Sequence, residues 1–348
     1  MGQTTTPFRH DTPHRRHPIT HLWNHGRNND PNILRITKQS TLSNSLHIPK
    51  KHTKPINNNI IQKQMKTIIT QNLPITEQYT YLISTIAPRP IALVSTIDKE
   101  NNINLAPFSY FNIFGVNPPI VAFSAALSGK TALPKDTLQN LREVPEAVIN
   151  LVNYNMVHAT SLASVNYPHK TNEFTKAGFT PIPSDQIRPP RVAESPIQLE
   201  CHVLNIIPLG QQGGAGNLIL CHVDRIHIAE HILTTDGKIN HLALDLVARA
   251  GGNYYCRMNE NSMFEVPKPI HSLAIGVDAL PQNIRHSQIL TGNDLAQLAS
   301  IEQLPTTQEL EHLTVPNHSK NNPTQQHTIA QQLLAKGEKM KAWKVLLD

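Results

Sequence analysis

Two runs of alternating apolar and polar residues, 197–207 (IQLECHVLNII) and Asn217–Ile228 (NLILCHVDRIHI), flank a glycine-rich turn at 210–216. A period of two puts one side of each run on a core, and a short glycine turn returns the chain beside itself, so the pair is an antiparallel hairpin. Shorter runs of the same texture lie at 91–96 (IALVST), 119–124 (PIVAFS) and 147–152 (AVINLV); the first follows a proline pair flanking Arg89, which disfavours helix. Only two short helices interrupt them, one opening at Asp136-Thr137 with either residue as N-cap and one across 157–164. Five or more strands with little strand–helix alternation predict an all-β barrel or sandwich and exclude a doubly wound sheet.

Beyond this region the texture changes twice. From about residue 270 Ile329, Leu333, Leu334, Met340, Trp343, Leu346 and Leu347 recur every three or four residues, and Gly337 divides them into a pair of short helices; 317–326 (NHSKNNPTQQ) reads as a flexible connector. Residues 1–64 hold ten Lys or Arg and two Asp, a net of +8, whereas the other 284 residues carry 21 basic and 23 acidic side chains, a net of −2. The formal charge of +6 therefore belongs to the arm alone. With few apolar residues and no periodicity the arm is expected to be disordered, and the abrupt change at Met65 makes that residue an alternative start of the working protein. Three segments result: a basic arm 1–64, a β-domain 65–269 and a helical extension 270–348.

The arm suggests two activities, and both fail on its residues. His10, His14, His17, His21 and His25 have helical spacing, but Pro13 and Pro18 interrupt that helix, so no metal site is expected. Its cations lack interleaved aromatics and would give only salt-sensitive, non-specific binding, so no nucleic-acid partner is expected. Cys201, Cys221 and Cys256 form no CxxC pair and read as reduced, buried thiols of a reducing compartment. No stretch of 18 apolar residues occurs, so no membrane partner is expected, and the expected location is cytoplasmic.

The chemistry-bearing stretch runs through 87–112 (APRPIALVSTIDKENNINLAPFSYFN). It brings the Ser95 and Thr96 hydroxyls and the backbone of Asn104-Leu105-Ala106-Pro107-Phe108-Ser109 to one sheet end, a cluster able to hold a phosphate or the polar edge of a planar heterocycle. Later, Lys135-Asp136-Thr137 joins a cation and a hydroxyl to a helix N-terminus, which suits a phosphate. Taken singly, each piece is equally a turn or helix cap.

As a whole, the order PRPIALVST, then NLAPFSYFN, then Lys-Asp-Thr with Asn140, resembles the flavin reductase-like family with the FMN-binding split barrel, close to the flavoredoxins. Asn172-Glu173-Phe174, Leu199-Glu200-Cys201 and Arg249-Ala250-Gly251-Gly252-Asn253-Tyr254 resemble that family's later blocks, and Leu290–Leu295 (LTGNDL) resembles the C-terminal extension of some bacterial members. The resemblance implies a six-stranded Greek-key split barrel that forms a homodimer, with FMN bound near the subunit interface. It further implies that Ser95 and Thr96 hold the phosphate and ribityl side, that Asn104, Leu105, Ala106, Pro107 and Ser109 line the flavin, that Lys135, Asp136 and Thr137 form the phosphate end, and that Arg89 sits beside the strand contacting the flavin. Leu93 stands where related runs often have Trp. Tyr254 and Tyr255 are candidates for flavin packing, with a barrel-core role favoured, and His169 is placed near the flavin or nicotinamide.

The implied activity is an FMN-dependent oxidoreductase that takes hydride from NADH or NADPH and passes electrons to free flavin, a metal complex or a protein. The alternative is an FMN-binding electron carrier with no NAD(P)H site of its own. Such chemistry needs no general acid or base, and no catalytic side chain is singled out. The glycines at 213–216 are read as a hairpin tip, and His202 and His222 as cross-strand or surface residues.

Overall fold

The computed structural model describes residues 65–267 and 273–348. The basic arm, its histidines and the expected boundary at 269/270 lie outside the described residues. The main sheet of the described residues has seven antiparallel strands: β1 (Ala92–Ile97), β2 (Ile103–Phe108), β3 (Phe111–Val116), β4 (Pro119–Ser124), β5 (Glu146–Leu151), β6 (Ile197–Pro208) and β7 (Asn217–Ile228). They are ordered β2-β1-β5-β6-β7-β4-β3.

That order places β2 and β3, separated only by Ser109 and Tyr110, on opposite edges. Three residue steps from Phe108 to Phe111 span at most about 11 Å. The edges of a flat seven-stranded sheet would lie roughly 29 Å apart at the usual inter-strand spacing. The sheet must therefore curl until its edges meet, which is the barrel. Six strands were expected; seven are found because the 103–116 segment bends at Ser109-Tyr110 and counts twice. The β6–β7 hairpin forms as its alternation predicts, with register shifts at 220/221 and 223/225 that add curvature. Asp224 sits at the second shift, and its carboxylate accepts from the ring Nδ1 of both His202 and His222, which face each other across the hairpin.

Strand β1 is buried on both faces, which explains why its sequence is a continuous apolar run. Ala92 and Val94 join the barrel core with Phe123, Ile149, Ile219 and Leu138 of helix α2 (Asp136–Glu143). Ile91 and Leu93 face a second cluster with Met156, Ala163 of helix α3 (Val157–Ala163) and Phe174 of helix α4 (Glu173–Ala177). Outside the barrel, Arg89–Pro90, Val247–Arg249 and Tyr255–Arg257 form a small three-stranded sheet. Gly251 approaches Ser84 so closely that a Cβ would lie 2.4 Å from its hydroxyl, so no larger residue fits there without displacing it.

The C-terminal residues build a separate apolar cluster around Trp343, from helices Gly292–Ala299, Thr307–Glu311, Pro323–Leu334 and Lys339–Leu347. Gly337 takes a positive φ between the last two, as its position predicts. The expected connector 317–326 is too long, because Asn322 caps the Gln325 N–H and Pro323 opens a helix, burying Gln326.

Two other expectations are corrected. Lys135, not Asp136 or Thr137, is the N-cap of α2; its backbone is extended and its carbonyl accepts from Leu138 and Gln139, while the Asp136 carboxylate is engaged elsewhere. Tyr254 and Tyr255 are exposed and outside the barrel core, and Cys256 is exposed beside them, because their short strand belongs to the outer sheet. Burial raises the Cys201 thiol well above its ordinary value and pushes Cys221 up to about 12. A thiol reagent should accordingly modify one cysteine in the native protein, Cys256, and three after denaturation; modification of Cys201 or Cys221 without unfolding would contradict this packing.

Candidate functional site

Strand β2, the N-terminus of α2 and the turn after α3 enclose a cleft of about 160 Å³. Its walls include Asn104, Ala106 and Pro107 from β2, Lys135, Asp136 and Thr137 from α2, the segment 163–167, and Glu173.

The α2 end of this cleft is built as a donor set. Leu138 and Gln139 return their N–H groups to the Lys135 carbonyl, whereas the N–H groups of Asp136 and Thr137 have no acceptor among the described residues. Asn104 Nδ2 donates to Thr96 Oγ1 (3.2 Å) and to Thr137 Oγ1 (2.9 Å), and Asn140 Nδ2 donates to Thr96 Oγ1 (3.1 Å). The Thr137 oxygen thus acts as an acceptor toward Asn104 and keeps its own proton to give. Lys135 is exposed and makes no ion pair among the described residues. Free N–H groups at a helix start, a hydroxyl donor and a lysine are the chemistry that holds a phosphate.

Two carboxylates border the donor set, and each is hydrogen-bonded by neighbouring groups. Asp136 is bound by His169 Nδ1 (2.9 Å) and by the Lys170 N–H (3.2 Å), which ties the 167–170 loop to the start of α2. Glu173 accepts from the Leu105 N–H (2.9 Å). Burial, helped by the Asp136 charge and opposed by the Leu105 N–H, raises its carboxyl above the usual range and so favours the neutral form.

Six expected site residues therefore come together: Asn104, Ala106, Pro107, Lys135, Asp136 and Thr137. The other six are not in the cleft wall. Ser95 and Thr96 are consecutive in a strand and point to opposite faces, so their hydroxyls cannot share one ligand. Thr96 is the hub of the Asn104–Asn140 network behind the cleft, while Ser95 Oγ is buried on the other face without a partner among the described residues. Leu105 is fully buried and spends its N–H on Glu173. Arg89 is buried, donating to the carbonyls of Ile83, Ile86 and Ala250 and, at 3.4 Å, to Ser109 Oγ. Arg89 and Ser109 thus fasten the helix Ile75–Thr85 and the outer sheet rather than line the cleft. His169 stands at the side, held by Asp136. Sequence reasoning missed Glu173 and Tyr167; the signal for Glu173 was its place just after the N-cap Asn172, whose side chain accepts from the Phe174 N–H.

Comparison with known proteins agrees with this architecture. A model of the flavin reductase like domain matches residues 84–243. An uncharacterized protein of Halalkalibacterium halodurans is 36% identical over 193 residues, covering 55% of this chain and 91% of its own. The crystal structure of nitrilotriacetate monooxygenase component B from Bacillus cereus superposes with a TM-score of 0.55 at 34% identity, over 58% of this chain and 99% of that one. A Shewanella frigidimarina protein described as having a split barrel domain shares the fold, with a TM-score of 0.50 at 22% identity over 57% of this chain and 96% of its own. Barrel, matched residues and a relative aligned over nine-tenths of its length agree, and the chain belongs to the flavin reductase-like family.

Proposed function

We propose that this protein is an FMN-dependent oxidoreductase that takes hydride from NADH or NADPH and delivers electrons to an acceptor, acting as a homodimer. The observation that carries this reading is the donor set at the start of α2, which fits the phosphate of FMN without a glycine-rich loop. When bound, FMN supplies the hydride acceptor and electron store, and the chain supplies position and electrostatics. Lys135 and the N–H groups of Asp136 and Thr137 hold the phosphate, the Thr137 hydroxyl donates to it, and Asn104 fixes that hydroxyl's direction. Ala106 and Pro107 line the adjoining wall. Glu173, whose carboxyl burial shifts upward, accepts from the Leu105 N–H and holds strand β2 at the cleft wall. The likeness to a protein named as a monooxygenase component supports a partner protein as the electron acceptor.

Purified protein should bind FMN and, under anaerobic conditions, bleach its absorbance on titration with NADH or NADPH. Lys135→Gln, at an exposed position, should weaken FMN binding about tenfold through loss of one charge-assisted contact, with unchanged thermal stability. A protein that fails to bind added FMN would defeat the reading, and bound FMN reducible only by an added electron-carrier protein would establish the carrier alternative.

A further inference from the structure

A second cavity, of about 370 Å³, opens on the other side of α3 and takes no part in the cleft described above. Its wall includes Tyr154, His158, Arg249, Asn253, Tyr255 and Arg257. Among the described residues no carboxylate lines it. Its volume lies near the lower end of the range for small-molecule sites, about 300–1,000 Å³, and exceeds what one inorganic anion fills.

The two arginines are set in place from behind. The Arg257 guanidinium lies 3.7 Å from the centre of the Tyr154 ring, and its Nε and Nη2 donate to the Asp245 carboxylate at 2.7 and 2.8 Å. The Arg249 guanidinium lies 4.5 Å from the centre of the Tyr255 ring, and its Nη2 donates to the Gly252 carbonyl at 2.9 Å. Each guanidinium is anchored by a cation–π contact and by hydrogen bonds, so less rotamer freedom remains to be lost on binding. Arg249 Nε and Nη1, Arg257 Nη1 and both His158 ring nitrogens have no hydrogen-bond partner among the described residues. Anchored guanidinium groups with open N–H groups select phosphate groups, and the tyrosine rings beside them suit a planar base.

The cavity meets Val157, His158 and Ser161, while the cleft meets Ala163 and the turn beyond it. Both therefore share α3, a helix of seven residues and about 10 Å. A ligand whose reactive end reached the cleft could rest its other end here.

We propose that this cavity binds the phosphorylated adenosine end of the nicotinamide dinucleotide, with Arg249 and Arg257 holding its phosphate groups and His158 at the rim. The assignment deepens the function proposed above and rests on it for the identity of the dinucleotide. The test is a calorimetric titration of the full chain with three probes: adenosine monophosphate, the same nucleotide carrying a second phosphate on its ribose, and inorganic phosphate. Both nucleotides should bind more tightly than phosphate, and Arg249→Gln should weaken the nucleotides at least about tenfold. Greater affinity for the doubly phosphorylated probe assigns NADPH as donor; equal affinity assigns NADH. His158→Gln, at an exposed side chain outside the guanidinium–tyrosine contacts, should weaken the same probes to a smaller degree and covers the case in which the arginine variant fails to fold.

Nucleotide affinity unchanged in both variants, or no nucleotide binding by the wild-type protein, overturns the proposal. A parallel FMN titration separates the two readings. If FMN binds and the nucleotides do not, the cavity assignment falls and the flavin reading stands; if the nucleotides bind in the arginine-dependent way and FMN does not, the flavin reading falls and a nucleotide site remains.

Discussion

Replacing Trp343 by alanine should loosen residues 275–348 while the barrel keeps its stability. The indole is fully buried at the centre of the C-terminal cluster, and its Nε1–H donates to the Leu298 carbonyl at 3.2 Å. Truncating such a side chain costs about 3–5 kcal/mol. A helical unit of this size has a total stability of roughly 4–11 kcal/mol, so the loss takes a large share of it. Hydrogen exchange should then show the amides of the last two helices exchanging at least about a hundredfold faster than in the wild type, with those of β5, β6 and β7 as protected as before and FMN affinity unchanged. Loss of protection in both regions together would show a single cooperative unit and sink the proposed division into a barrel domain and a helical extension.

Glu200→Ala should destabilise the barrel by about 3–5 kcal/mol, the range for removing one partner from a buried charged network. The side chain lies in β6 with no exposed surface. Its carboxylate accepts from the Asp185 N–H (2.8 Å), the Gln186 N–H (2.9 Å) and His227 Nε2 (2.8 Å), and Arg191 approaches to 4.0 Å. Burial pushes its pKa up, but the two backbone N–H groups and His227 outweigh that push and hold it below the ordinary carboxylate value. Because the folded state binds the proton less readily than the unfolded state, this carboxylate stabilises the fold above its ordinary pKa, and the contribution is lost as pH falls through the depressed folded value. Urea denaturation across acidic pH should show the alanine variant less stable than wild type at neutral pH and converging on it toward low pH. A gap that stayed constant with pH would mean that packing, not charge, is what Glu200 supplies.

The barrel was legible because its signals are local. Alternation in 197–228 and the continuous apolar run of 91–96 are read from neighbouring residues, and the structure forms a hairpin and a doubly buried strand there. The sequence-adjacent part of the cleft, Lys135-Asp136-Thr137, was legible for the same reason. The remainder depended on which way side chains point across a strand pair. Ser95 and Thr96 look equivalent in a line of letters, yet one hydroxyl faces α2 and the other faces the α3 layer. Arg89 was expected beside the strand contacting the flavin, but the carbonyls of Ile83 and Ile86 and, 161 positions on, of Ala250 claim its protons. Glu173 was hidden because its importance comes from Leu105, 68 positions away.

The strand order has a consequence for how this chain is made. By the time residue 151 leaves the ribosome, two separate sheet fragments can exist, β2-β1-β5 and β4-β3, tethered by one bend. Besides β2 and β3, which stay at the ends of the finished sheet, each fragment leaves one further edge unpaired, β5 on one and β4 on the other, and unpaired edges invite pairing with other chains. The β6–β7 hairpin is the piece that seals both, since β6 pairs with β5 and β7 with β4. Closure of the barrel is thus deferred until residue 228 has emerged, and a chain released before that point carries two sticky edges with nothing of its own to cover them.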